Sequence, residues 1–366
     1  MTKLYLGVLS GTSMDAIDMA AVDFNDKQPR ILATLSEPLP SNYQTTYRSI
    51  IKAGNCTINE LGELDNWTGE LFANAVLNFL QQHKIDTKSI QAIGSHGQTI
   101  WHAPDGKRPF TMQIGDPNVI AVKTGITTIA DFRRADMAAG GKGAPFAPAF
   151  HQAVFADPNE DRCVINIGGI SNISVLSQNE YKGFDIGPGN CLMDRCAQNY
   201  FKLDYDKDGE IASCGAISDA LLAACLNDPY FSKLPPKSTG IEYFNEAWLQ
   251  AKMQQATTEN LQPNDIMATL LELTTNTIAT TIKNLKLNNP RVFLCGGGAK
   301  NISLCASLSK QLGQTVQTTQ ALGIDPAWVE AALFAWLAKQ NFTRTAVDLR
   351  AITGAKQKLI LGAVYG

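Results

Sequence analysis

Several things are scarce in this chain of 366 residues, and each scarcity excludes a class of protein. Charge is one: Asp, Glu, Lys and Arg make up 18%, below the ~25% typical of soluble domains. Against 34 acidic side chains stand 31 basic ones, a formal net charge of −3, so the broad positive surface of a non-specific nucleic-acid binder is missing. Long apolar runs are missing too. No stretch reaches the roughly 18 residues that an ordinary membrane-spanning helix needs. The opening MTKLYLGVLSGTSMDAID meets polar residues too early for the apolar stretch of a signal peptide, and a cytoplasmic protein is expected. Eight cysteines are scattered at 56, 163, 191, 196, 214, 225, 295 and 305 without a CxxC pair, which reads as reduced thiols rather than a disulfide frame. Neither GxxxxGK[ST] nor GxGxxG occurs, so a P-loop and a dinucleotide fingerprint are excluded. GxSxG and HExxH are absent as well, which argues against a serine hydrolase and a zinc protease.

What is present is an alternation of strand and helix patterns. At one domain per ~150 residues the length suggests about two domains. Lys3 to Leu9 and Ile17 to Phe24 read as a hairpin around a polar, glycine-containing turn, with Arg30 to Leu35 as a third strand. Leu61, Leu64, Leu71, Ala75, Leu77 and Phe79 then recur at helical spacing, and Ile90–Gly94 and Thr127–Ala130 follow as short strands. The second half repeats the scheme. Arg162–Ile167 ends in Gly168-Gly169 and resumes at Ile173–Leu176, while Arg291–Cys295 runs into Gly296-Gly297-Gly298 and a helix pattern to Leu312. Two α/β halves facing one another across a cleft are implied. The expected division is 1–130, joined by 341–366, against 131–340, with Asp204 to Phe244 as an irregular insertion.

Three glycine turns carry the chemistry. Ser10-Gly11-Thr12-Ser13-Met14-Asp15-Ala16-Ile17-Asp18 offers backbone N–H groups and hydroxyls suited to phosphate oxygens, and Asp15 or Asp18 suits a magnesium-bound water. Its plain alternative is a tight hairpin turn. Gly168-Gly169 would be a matching phosphate turn, and Gly296, Gly297 and Gly298 at a strand-to-helix junction let a flat ring or phosphate approach the backbone closely. Asp185, at a strand end before Gly187-Pro188-Gly189-Asn190, is a candidate general base, with helix capping by Asp or Asn as the bland reading. The charged run 131–136 and the glycines of 140–143 suggest a substrate-binding loop or a surface salt-bridge cluster. His96 and His151 stand in marked surroundings, and no histidine pair has metal-ligand spacing.

Long motifs then resemble one family. SGTSMDAID at 10–18, GSHGQTIWH at 94–102, ADFRRADMAAGGKGAPFAPAFH at 130–151, INIGGISNIS at 165–174, GFDIGPGNCLMD at 183–194, PKSTGIEYFN at 236–245, CGGGAKN at 295–301 and DPAWVEAALFAWLA at 325–338 are similar to those of anhydro-N-acetylmuramic acid kinases. The resemblance implies a two-domain actin-like ATPase (ribonuclease H-like) fold with an ATP and sugar cleft between domains. It also implies ATP and Mg²⁺ as cofactors, 1,6-anhydro-N-acetylmuramic acid as partner, no nucleic acid or membrane, and a homodimer. Asp185 matches the catalytic aspartate and Gly11 to Asp18 the ATP-binding segment, with Arg133, Glu330 and His96 as substrate-binding positions. Two departures are Ala16, where the family commonly has glycine, and Ala135, where it commonly has a basic residue.

Overall fold

The computed structural model describes residues 3–11, 14–26, 28–177, 181–258 and 260–366. They divide into two units, 1–150 with 328–366, and 151–327. In the first unit run β1 (Leu4–Ser10), β2 (Ala16–Asp23), β3 (Arg30–Pro38), β4 (Ile90–Ser95), the separate hairpin β5 (Gln98–Ala103) and β6 (Phe110–Ile114), and β7 (Thr128–Ala130). The main sheet has the order 363–365, β7, β4, β1, β2, β3. Strands β1 to β3 are antiparallel neighbours, while β4 lies parallel to β1 and β7 parallel to β4. Every residue of β1 is buried, as a central strand requires. Helix Ile58–His83 starts in a capping box between Thr57 and Glu60 and gives Leu64, Phe72, Val76 and Phe79 to the core.

The division corrects the expected boundaries. Residues 131–150 and 328–340 belong with the first unit, because helix Val329–Phe342 packs on β1, β2 and β4. Glycines make that seat. A methyl on Gly7 would lie 1.8 Å from the Ala331 carbonyl oxygen, and one on Gly94 would lie 2.0 Å from that of Phe334, so the helix backbone rests directly on the sheet. At its far end the Asn341 amide donates to the carbonyls of Leu361 and Gly362 at 2.7 and 2.9 Å.

The second unit holds β8 (Arg162–Ile167), β9 (Ile170–Leu176), β10 (Tyr181–Pro188), β11 (Arg291–Cys295) and β12 (Gln317–Thr318), ordered β10-β9-β8-β11-β12. Again three successive strands are antiparallel and two later ones parallel to the first. The same strand order thus recurs in both units, a duplicated α/β architecture of the kind the sequence leads one to expect. Helix Pro263–Asn284 fills the core with Ile266, Leu270, Leu273 and Ile278. The stretch 204–244, expected to be irregular, carries helices Glu210–Ser213, Asp219–Leu226 and Pro229–Ser232. Two polar residues of the stretch cap these helices: Ser218 accepts from the Leu221 N–H and Asp228 from that of Tyr230, with Pro229 in the first turn.

Candidate functional site

In the first unit the segment 10–18 turns between β1 and β2, and Thr12 and Ser13 lie outside the described residues. The Gly11 carbonyl accepts from the Met14 N–H at 3.2 Å, and Met14 takes a left-handed φ of 57°. The side chains of Met14 and Ile17 belong to the core, so those two contribute backbone rather than side chain to any ligand. Ala16 opens β2 opposite Pro38. Asp15 is exposed, whereas Asp18 is half-buried and accepts from the Ser36 hydroxyl at 2.7 Å.

The charged run 131–136 separates by destination. Arg134 pairs with Asp131 near the surface at 2.5 Å. Asp136 is buried, with its oxygens taken by the Thr353 hydroxyl and the Gly143 N–H, each at 2.8 Å. It is a staple that holds the 140–143 glycine loop, and not part of an open substrate loop. Arg133, on helix Phe132–Ala138, donates from Nε to His96 Nε2 at 3.1 Å. Burial, and then the Arg133 charge, push His96 down to about 3, so the ring is neutral. Its Nδ1–H therefore faces the Gly97 carbonyl at 3.0 Å and its Nε2 lone pair faces Arg133. Burial lowers Arg133 to about 10, with Glu330 opposing, so it keeps its charge at neutrality. Glu330 stands in the first turn of helix Val329–Phe342. Solvent reaches its side chain, yet the surrounding protein raises its carboxyl pKa, aided by Asp18 and opposed by Arg133. The structure thus brings His96, Arg133, Glu330 and Asp18 into one electrostatic group.

In the second unit Asp185 sits at a β-bulge. Asp185 pairs with Asn172 and Gly187 with Ser171, leaving Ile186 extra, a local break that re-aims side chains. Its N–H donates to the Lys237 carbonyl at 3.1 Å, its carbonyl accepts from the Tyr230 hydroxyl at 2.8 Å, and its Oδ2 accepts from the Thr239 N–H at 3.0 Å. Desolvation pushes the carboxyl up to about 6, with Glu242 adding and the Thr239 N–H and Lys237 opposing. Tyr230, Lys237 and Thr239 are the partners that motif reading missed. They lie in the stretch 204–244, whose expected irregularity says nothing of what it wraps.

The glycine turns of this unit meet. The Gly168 and Gly169 carbonyls accept from the N–H groups of Gly189, Asn190 and Cys191 at 2.8 to 3.2 Å. Gly296, at φ +77°, leaves 2.3 Å between a hypothetical methyl and the Asn166 side-chain oxygen, so only glycine fits there. A methyl on Gly298 would meet Ile167 at 2.3 Å, and the nearest atom to one on Gly297 is Asn190 Nδ2 at 3.8 Å. His151, the other marked histidine, is a core residue bonded to Ser174 at 2.8 Å.

Comparison with known proteins completes the description. A family model described as "Anhydro-N-acetylmuramic acid kinase" matches residues 3–366. Proteins named anhydro-N-acetylmuramic acid kinase from Pasteurella multocida (strain Pm70) and Coxiella burnetii (strain Dugway 5J108-111) are 47% identical over 367 residues and 48% identical over 368. The matches cover 100% and 99% of this chain and 97% of each relative. Among solved structures, the activator of the 2-hydroxyisocaproyl-CoA dehydratase from Clostridium difficile with bound ADPNP aligns over 93% of this chain and 96% of its own length, at a TM-score of 0.46 and 12% identity.

Proposed function

We propose the residue roles below on one premise: the chain belongs to the anhydro-N-acetylmuramic acid kinase family. It is a kinase that converts 1,6-anhydro-N-acetylmuramic acid, ATP and water to N-acetylmuramic acid 6-phosphate and ADP, opening the anhydro ring in the same event. This is a step of peptidoglycan recycling.

Asp185 is the general base. The observation that supports this is the setting of its carboxyl, half-buried, touched by one N–H and raised to about 6. Such a group is ionised at neutrality and still basic enough to accept a proton. It takes the proton of a water whose oxygen bonds to C1 of the sugar. The C1–O6 bond breaks, its electron pair stays on O6, and O6 attacks the γ-phosphorus as ADP leaves. No separate acid is required, because the phosphoryl group captures the leaving oxygen, and the protein's task is alignment.

Arg133 and Glu330 bind the sugar. His96 has both ring nitrogens engaged and acts on the sugar by orienting Arg133. The segment Gly11 to Asp18, with Gly168 and Gly169, receives the ATP phosphates, and Gly296 to Gly298 the adenosine. Among the described residues no group of three or more His, Cys, Asp or Glu could hold a metal ion. Mg²⁺ takes one or two carboxylates with phosphate oxygens and waters, and Asp15 or Asp18 would orient one of those waters. When bound with nucleotide the ion neutralises phosphate charge. A cytoplasmic homodimer completes the proposal. All eight cysteines are free thiols, and among the described residues no helix is long and apolar enough to cross a membrane. Sedimentation velocity checks the dimer.

The deciding assay is ADP release with and without the anhydro sugar. Release that depends on it is expected, while release with ordinary hexoses alone would overturn the substrate. Asp185→Asn should keep ATP binding and lose ~10²-fold or more in turnover. Wild-type turnover in that variant would remove the base assignment. Reaction in ¹⁸O-water should label the C1 hydroxyl of the product.

A further inference from the structure

Asp185 lies where the β9–β10 ladder is interrupted, so its position depends on groups outside the sheet. Two of these supports are the Tyr230 hydroxyl, on its carbonyl, and the Thr239 N–H, on its carboxylate. Both lead back to one buried carboxylate. Asp228, 5% exposed, accepts at Oδ1 from the Tyr230 N–H at 3.0 Å and the Tyr243 hydroxyl at 2.8 Å. Tyr230 is itself buried, its ring 5.5 Å from Phe244 and 6.2 Å from Tyr243. The N–H groups of Tyr243 and Phe244 both donate to the Gly240 carbonyl at 3.1 Å, closing the turn that presents Thr239. At Oδ2 the same carboxylate accepts from Trp248 Nε1 at 2.9 Å and faces Lys252 Nζ at 3.1 Å. Four donors saturate an ionised carboxylate. Capping the short helix Pro229–Ser232 would need only the Tyr230 N–H.

We propose that Asp228 is a positioning residue for the reaction, fixing through Tyr230 and Tyr243 the two supports that aim Asp185. This rests on the reading of Asp185 as the base. The two oxygens of Asp228 divide the labour, Oδ1 serving the arms toward Asp185 and Oδ2 tying the hub to helix Glu246–Gln255. The charged and titratable groups facing Asp185 are Lys237 and Glu242 of the wrapping segment and the Tyr230 phenol. Opposite it in β9 stands Asn172, and helix Pro263–Asn284 brings the Thr274 hydroxyl to the neighbouring Pro188 carbonyl. The variants below leave Lys237, Glu242, Asn172 and Thr274 in place.

Tyr230→Phe removes the bond to the Asp185 carbonyl, and Tyr243→Phe loosens the Thr239 turn. Each should lower kcat by ~3–10-fold, the scale of one lost hydrogen bond, with the KM for ATP within about twofold of wild type. Tyr243→Phe should also move the acid limb of kcat/KM to higher pH, because the Thr239 N–H favours the charged carboxylate. Asp228→Asn should do both more strongly. Trp248→Phe is the control: it removes a donor at Oδ2 and should lower the melting temperature while leaving kcat and the acid limb in place. The proposal is overturned if Tyr230→Phe and Tyr243→Phe leave kcat and the limb unmoved, or if Trp248→Phe shifts them as far. These two tyrosine variants decide the matter even if Asp228→Asn does not fold. Wild-type turnover in Asp185→Asn would overturn the base reading and the proposal with it. An inactive Asp185→Asn beside unmoved tyrosine variants would overturn the frame alone.

Discussion

Gly94→Ala tests whether helix Val329–Phe342 is seated on the sheet by glycine alone. The added methyl would lie 2.0 Å from the Phe334 carbonyl oxygen, 2.8 Å from its carbon and 3.0 Å from the Ala338 methyl. Ordinary contacts begin at 3.4 Å, so the helix must retreat by about 1.4 Å (3.4 − 2.0) or the strand must bend. Overpacking of this kind costs ~1–3 kcal/mol. At ~2–4 °C per kcal/mol for a domain of this size, melting should fall by several degrees. Function should suffer separately. Phe334 lies 4.7 Å from the His96 ring and 5.9 Å from Phe132, and Glu330 stands one turn earlier. A misplacement of ~1 Å can cost as much as ~10²-fold in rate, and here it should appear mainly in kcat/KM for the sugar. Gly62→Ala is the matched control, since nothing lies within 4 Å of its added methyl and it sits within helix Ile58–His83. It should stabilise by ~0.5–1 kcal/mol. Thermal melts by circular dichroism and ADP-release kinetics on both variants decide the matter. Wild-type melting in Gly94→Ala, or an equal loss in Gly62→Ala, would refute the reasoning.

Three more outcomes are expected. With Asp185 at about 6, wild-type kcat/KM should fall about tenfold per pH unit below that value, and a plateau reaching pH 4.5 would exclude it as the base. Because this carboxyl is raised in the folded state, its cost to stability grows as pH rises from 3.8 towards about 6. Asp185→Asn should therefore melt higher than wild type at pH 8 and lose that advantage by pH 4; an advantage that persists at pH 4 argues for another cause. Arg133→Lys removes the Nε–H that His96 accepts, and an ammonium does not reproduce the planar fork. The KM for the anhydro sugar should rise ~10-fold or more while the KM for ATP stays nearly constant, and equal rises in both would place Arg133 elsewhere in the cycle.

The elements that carry their signal locally were legible. The strands flanking Gly168-Gly169 and Gly296-Gly297-Gly298 announce themselves by apolar runs ending in glycine, and both antiparallel starts follow from short turns. What escaped depends on partners far along the chain. The Asp185 carboxyl meets Thr239, 54 residues on, and Asp136 meets Thr353 across 217 residues. Nothing in the run 131–136 distinguishes the arginine that finds half-buried His96 from the one that pairs at the surface, because only the fold decides which faces inward. Gly7 and Gly94 look like ordinary strand glycines until the helix that needs them is in place. The helix starts at Ser218 and Asp228-Pro229 stay hidden within 204–244, since the same residue types start turns and helices.

The first unit is discontinuous, and that has a consequence for how the chain is made. Its sheet needs strand 363–365 beside β7, and β1 needs helix Val329–Phe342. On the ribosome the whole of 151–327 emerges before either piece exists, so the second unit can finish folding first. Meanwhile residues 1–150 wait with the glycine seats of β1 and β4 uncovered. Truncation from the C-terminal side would therefore strike the N-terminal sheet, far away in sequence, before it touched the unit that carries Asp185.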